Sequence, residues 1–297
     1  MQGKVLGYVI GALIVGVLIG YVAHLAFAGE HPVLSRCKSE LSSCQKELSA
    51  CKGELSKFKK SYLEEIKKRG KLIVGTSADW PPFEYVKDGK IVGIDIEIAK
   101  RIAKALGVEL EIKDMKFAAL IPALKSGQID MILADTTPTA EREKEVDFSI
   151  PYYTSKGYAV LTLKEKASEL KSIESLYGKK IGVQLGTIQE EWAKENLKGK
   201  AEIISYDRVY PEMVMALKRG DIDAMIIGDI IAGVLQKRDP DLALAFYAGA
   251  PTIGAAVAVP EGAEDLKYEV NKVLESLIES GEMAKIFEEQ IAEWLGE

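Results

Sequence analysis

Asp130-Met-Ile-Leu-Ala-Asp-Thr-Thr-Pro-Thr-Ala-Glu-Arg142, running on to Asp147-Phe-Ser-Ile-Pro-Tyr-Tyr153, is the stretch from which the rest of this 297-residue chain is read. Met131 to Ala134 is a short apolar run that stops at Asp135, Thr136 and Thr137. That pattern predicts a buried strand leaving a sheet. Pro138 and Thr139 then predict a helix start, with Glu141 and Glu143 in its first turn and Arg142 among them. Free N–H groups at a helix start and a guanidinium fork beside them together suit a small carboxylate. The alternative is a surface helix whose arginine is merely solvated.

A second copy of the pattern favours the site. Ala123-Leu-Lys-Ser-Gly-Gln-Ile-Asp130 is echoed by Ala216-Leu-Lys-Arg-Gly-Asp-Ile-Asp223, and each leads into an apolar strand ending in an aspartate, Asp135 or Asp229. Gly70-Lys-Leu-Ile-Val-Gly-Thr76 is likewise echoed by Gly178-Lys-Lys-Ile-Gly-Val183. The chain therefore reads as two similar α/β units. Ligands in such units lie beyond the carboxyl ends of the strands, so two units facing each other make a cleft with a wall on each.

Trp80-Pro-Pro-Phe-Glu-Tyr85, Gly93-Ile-Asp-Ile-Glu97, Thr139-Ala-Glu-Arg142, Phe148-Ser-Ile-Pro-Tyr152 and Gly182-Val-Gln-Leu-Gly-Thr187 occur in that order. They resemble the polar amino-acid solute-binding proteins of ABC transporters, from about Lys71 to the C-terminus. The resemblance implies a two-lobed type II periplasmic-binding fold whose lobes, joined by two hinge strands, close over one amino acid. It implies Arg142 as the α-carboxylate clamp, helped by Thr137 and the backbone near Thr187, and Asp229 as partner of the α-ammonium. Trp80 and Phe117 become the aromatic walls, and ABC permease subunits become the docking partner. Two positions depart from the family. Ser77 stands where members that bind lysine or arginine often carry an acid, and Asp135 stands where Gly or Ser is common. Asp135 is expected to favour a cationic or hydrogen-bond-donating side chain, to share the α-ammonium with Asp229, or to cap the helix near Thr139. Arginine, lysine, histidine and glutamine all stay open as ligands. The rival activities on this fold are a cyclohexadienyl dehydratase acting on arogenate or prephenate, and a ligand-sensing receptor lobe.

Composition narrows the classes. The chain is 47% hydrophobic with a net charge of -6, enough apolar material for a core and the wrong sign for nucleic acid. Both histidines, His24 and His31, and all three cysteines, Cys37, Cys44 and Cys51, precede Lys71. The remainder thus carries no imidazole base, thiol nucleophile or Cys/His metal set. No phosphate-cradling Gly-rich loop ending in Lys-Ser or Lys-Thr is present, and no cofactor is expected.

The N-terminal part is of another kind. Val5 to Phe27 is uncharged and apolar, about 34 Å as a helix, which predicts a membrane-spanning signal anchor; the family resemblance implies that the rest lies on the outer face of the cytoplasmic membrane. Cleavage after Ala26-Phe-Ala28 is the alternative. Leu34, Leu41, Leu48, Leu55 and Tyr62 recur every seven residues, with Cys37, Cys44, Cys51 and Phe58 in the second seam. This predicts a coiled-coil stalk that makes a homo-oligomer through residues 34–65. An amphipathic helix on the globular part would show a wider stripe. The predicted organisation is an anchor over 1–29, a stalk over 30–69, lobe one from 70–157 and 252–297, and lobe two from 158–251.

Overall fold

The computed structural model describes residues 36–38, 40–49 and 61–297, and the chain divides into the units Met1–Lys60 and Ser61–Glu297. In the first unit the described residues are helical. Leu41 and Leu48 are 53% and 50% exposed, and Cys37 and Cys44 are exposed free thiols. The predicted membrane span, and the seam positions Leu34, Cys51, Leu55 and Phe58, lie outside the described residues. Among the described residues no helix is long and apolar enough to cross a membrane.

The second unit opens with helix α1 (Tyr62–Arg69), which buries Ile66 and is capped by Ser61. Ser61 Oγ also donates to Asp265 at 2.7 Å. Tyr62, the last position of the heptad pattern, therefore belongs to the globular unit, and its helix packs on the helix Glu264–Glu279 rather than continuing a free stalk to residue 69.

Two five-stranded sheets follow. The first runs β5-β1-β6-β13-β7, built from β1 (Lys71–Thr76), β5 (Glu109–Asp114), β6 (Met131–Ile132), β7 (Val146–Pro151) and β13 (Ala256–Pro260). The second runs β10-β9-β11-β8-β12, built from β8 (Tyr158–Leu163), β9 (Lys180–Gln184), β10 (Glu202–Tyr206), β11 (Ala224–Gly228) and β12 (Leu242–Ala248). In each sheet the first three strands are parallel and the fourth is antiparallel. The lobes built on these sheets are called lobe one and lobe two. Strands β11 and β13 are buried at every residue, which is why they read as unbroken apolar runs.

The repeated sequence is a repeated structure. Asp130 Oδ2 accepts from the backbone N–H of Ile73 at 2.7 Å, and Asp223 Oδ2 accepts from that of Lys180 at 2.9 Å. Each aspartate pins the strand that opens its lobe. A Cβ added at Gly75 would overlap the Ile129 Cδ1 methyl, and one at Gly182 would overlap that of Ile222. Both glycines let the chain before the following strand lie flat against the sheet. The structural correspondence pairs Ile73 with Lys180, one residue away from the match that the Gly70 and Gly178 echo suggests.

A small sheet of β2 (Asp79–Trp80), β3 (Glu84–Lys87) and β4 (Lys90–Val92) carries the stiff Trp-Pro-Pro-Phe loop. Helix α2 (Ile94–Leu106) follows it and buries Ile94, Ile98, Ile102 and Leu106. Burying each such side chain contributes roughly 1.5–3 kcal/mol. The loop caps this helix, since Ile94 N–H donates to Pro82 O at 3.0 Å and Asp95 N–H to Phe83 O at 2.9 Å.

One local expectation fails. No helix starts at Pro138: the chain makes only a 3-10 turn, Arg142–Lys144, and re-enters the sheet at Val146. Two bonds close this turn, from Glu143 N–H to Thr139 O at 2.8 Å and from Glu145 N–H to Arg142 O at 2.9 Å. Phe117 lies in a 3-10 turn, Phe117–Ala119, that runs into helix α3 (Leu120–Lys125).

Candidate functional site

All eight residues singled out from the sequence line one cleft between the lobes: Ser77, Trp80, Phe117, Asp135, Thr137 and Arg142 from lobe one, Thr187 and Asp229 from lobe two. The cleft holds about 530 Å³ of space, part of it open to solvent.

Arg142 is held without a helix start. Thr139 Oγ1 accepts from the Arg142 backbone N–H at 3.2 Å and shapes the turn. The guanidinium is 8% exposed and donates to Thr137 O at 2.8 Å and, across the cleft, to Gly186 O at 3.0 Å. It stands 5.3 Å from the Phe117 ring centroid, the geometry of a cation over an aromatic face. Both hydrogen bonds go to backbone carbonyls, and no ion pair reaches Arg142 among the described residues. Burial pulls its pKa below the usual arginine value. A buried cation without an anion is costly, and the ligand side of the cleft is where one can enter.

Gly186 is presented by helix α4 (Ile188–Asn196), whose N-cap Thr187 accepts from Glu190 N–H at 3.2 Å. The Glu190 carboxylate in turn takes the N–H of Gly186 at 2.7 Å.

The other side of the cleft is acidic. Asp135 adopts φ 44°, a left-handed conformation uncommon for a residue with a side chain. Its backbone N–H donates to Asp95 Oδ2 at 2.8 Å, and its Oδ2 accepts from Trp80 Nε1 at 2.8 Å. It therefore faces the cleft beside the indole and does not cap a helix. Asp229 begins helix α5 (Asp229–Arg238) and is held by the connecting segment: Ser155 Oγ donates at 3.0 Å, Lys156 N–H at 3.0 Å, and the Tyr153 hydroxyl also donates to it.

Three further groups escaped the sequence reading. Glu84 is 0% exposed, lines the cleft, and among the described residues has no donor on either oxygen. It faces the carboxyls of Asp95 and Asp135, and a bond between Glu84 and Asp95 forms only when one of them is protonated. Burial pushes Glu84 and Asp135 well above the usual carboxylate range, and Asp95 up to about 7. Gln184 reaches the cleft from the end of β9, and Tyr153 from the connecting segment. Glu84 and Gln184 sit inside the motifs that carried the resemblance and Tyr153 directly follows one of them; an acid after the Pro-Pro-Phe turn was the available signal for Glu84.

A buried arginine facing buried acids across a cleft between two α/β lobes is complementary to a zwitterion, and the model of the bacterial extracellular solute-binding proteins, family 3, matches residues 72–295. The chain belongs to this family. Among family relatives, the arginine-binding extracellular protein ArtP of Bacillus subtilis (strain 168) is 43% identical over 219 residues, 73% of this chain and 84% of that protein. The amino acid ABC transporter substrate-binding protein AbpA of Streptococcus pneumoniae Canada MDR_19A, solved bound to L-arginine, superposes with a TM-score of 0.74. It is 38% identical, over 78% of this chain and 99% of that one. The ancestral amino acid-binding protein AncCDT-1, a precursor of cyclohexadienyl dehydratase, gives 0.72 at 36% identity, over 78% of this chain and all of that one, 100%. Like the family at large, this solute-binding protein works outside the cytoplasm.

Proposed function

We propose that the cleft takes one polar or basic L-amino acid, with arginine the leading candidate, and that the closed form delivers it to ABC permease subunits. The observation that carries this reading is the charge layout. One buried guanidinium, Arg142, lacks an anion, while Asp135, Asp229 and Glu84 stand on the remaining walls. An α-carboxylate completes Arg142. An α-ammonium meets Asp229, which already has its orientation fixed by three donors. Asp135 and Glu84 are then left to a cationic side chain lying along Trp80 and Phe117. The arginine-named relatives agree with this assignment. Ser77 donates its hydroxyl hydrogen to Asp79 within its own lobe and so meets the ligand only as an acceptor.

In the same proposal residues 1–29 anchor the protein to the outer face of the membrane, and the Leu/Cys seam pairs chains. The exposed Leu41 and Leu48 are what support the seam.

The test is calorimetric titration of the detergent-solubilised chain with arginine, lysine, histidine, glutamine and glutamate, for the wild type and Asp135→Asn. Arginine is expected to bind tightest, and the substitution to weaken arginine more than glutamine. Tight glutamate binding by the wild type overturns the reading. Incubation with arogenate and prephenate, followed for loss of substrate, is the parallel arm; turnover would put the dehydratase activity in its place.

A further inference from the structure

Outside the ligand contacts, one group ties the two lobes together. Asp79 lies on β2 of lobe one and is 1% exposed. Its Oδ1 accepts from Ser77 Oγ of its own lobe at 2.6 Å. Its Oδ2 accepts twice from lobe two, from Gln184 Nε2 at 3.0 Å and from the backbone N–H of Val209 at 2.5 Å. Arg208 sets its guanidinium 3.6 Å from Asp79 and donates to both oxygens of Asp114, at the end of β5, at 2.9 Å each. Lys116 and Asp207 pair beside it at 2.5 Å. The lobe-two strap 207–209 is thus bonded to three charged groups of lobe one, and none of these residues belongs to the segments that connect the lobes.

The three contacts are not equal. Lys116–Asp207 is well exposed and Arg208–Asp114 partly so, and pairs of that kind contribute little. Asp79 is buried, and both donors to its Oδ2 come from the other lobe. With the lobes apart that oxygen returns to water; with the lobes together it exchanges water for two fixed donors. A buried carboxylate is stable only with such donors in place. Two of its partners, Ser77 and Gln184, also line the cleft.

We propose that Asp79 is the clasp of the closed form, a positioning residue that holds strap 207–209 across the cleft and fixes the Ser77 hydroxyl and the Gln184 amide against the ligand. This rests on the reading of the cleft as an amino-acid site. A clasp made after the ligand has entered lengthens residence more than it speeds entry.

Arginine binding to the full chain, followed by stopped-flow tryptophan fluorescence, tests it in the wild type, Asp79→Ala, Asp79→Asn and Asp114→Ala. Dissociation from Asp79→Ala is expected to be roughly ten- to a hundredfold faster, the size set by a charge-assisted hydrogen bond, with association changed less than about threefold. Asp79→Asn, which keeps one acceptor oxygen, falls between, and Asp114→Ala stays within about threefold of wild type. The thermal midpoint of the ligand-free protein is expected to be unchanged in Asp79→Ala. Dissociation within twofold of wild type overturns the clasp, as does a ligand-free midpoint that falls as far as the bound one, since that marks a merely structural aspartate. Should the wild type bind none of arginine, lysine, histidine or glutamine, the amino-acid reading fails by itself. The clasp is then decided by small-angle scattering of the chains as purified, carrying whatever ligand they bring from the cell: a larger radius for Asp79→Ala supports it and an equal radius overturns it.

Discussion

At the scale of single residues, the cleft depends on charges that the protein leaves incomplete. Arg142 spends its two bonds on the carbonyls of Thr137 and Gly186, which aim the guanidinium without neutralising it. Arg142→Ala should therefore cost about 2–5 kcal/mol of amino-acid affinity, measured by calorimetry. Arg142→Lys should recover only part, because a single ammonium does not reproduce a planar fork held at two points. The buried acids make stability depend on pH. Asp95, buried within lobe one, is raised to about 7, by burial first. A carboxyl whose pKa is higher folded than unfolded takes up a proton on folding between the two values. The ligand-free protein should thus gain stability as pH falls from 8 towards 5 and lose it as pH rises through those values. One full proton gives a slope of up to about 1.4 kcal/mol per pH unit. Asp95→Asn keeps an acceptor for the Asp135 N–H and should flatten the profile near pH 7. Thermal unfolding across that range checks it; an unaltered slope removes Asp95 as the source.

At the scale of elements, the two lobes share one packing solution. Gly75 and Gly182 sit on the opening strands β1 and β9, each beneath an isoleucine, Ile129 or Ile222, that leads into the next strand. Gly75→Ala should destabilise by about 1–3 kcal/mol through overpacking. Ile129→Val removes the very methyl that the new Cβ would overlap. The double variant Gly75→Ala/Ile129→Val should be more stable than the sum of the two single losses predicts, and a denaturant series on the four proteins measures that coupling. Simple additivity would show that the contact does not govern the site. The repeat was legible because Gly, Ile and Asp recur at one spacing. The turn at Arg142 was not: its sequence carries good helix-start residues, yet the chain closes a single 3-10 turn and is back in β7 at Val146.

At the scale of the whole molecule, the two units pose different questions. Half-exposed Leu41 and Leu48 beside exposed Cys37 and Cys44 form an apolar stripe that a second helix would cover. A fragment beginning at Gly29 should sediment as more than one chain, and one beginning at Ser61 as a monomer. Two monomers would end the stalk reading. Non-reducing gels of the longer fragment test for cross-linking by the cysteines. The shorter fragment starts at Ser61 and not at Lys71 because Ser61 and Ile66 are bonded to and buried in the globular unit.

The sequence by itself determined the α/β class, the pairing of the lobes, and eight residues of one cleft, because strand periodicity, glycine placement and a local motif order are written along the chain. It named Asp135 and left its role open among three possibilities. What it could not contain is direction and proximity across long separations. Asp135 faces Trp80 because Asp95, forty positions earlier, holds its backbone N–H in a left-handed turn. Glu84 becomes a cleft acid because folding removes every donor from its oxygens. Asp79 looks like an ordinary loop aspartate until the lobes meet, when Gln184 and Val209 arrive from the other half of the chain. Burial and charge pairing are properties of the assembled fold, and there only the tertiary structure decided.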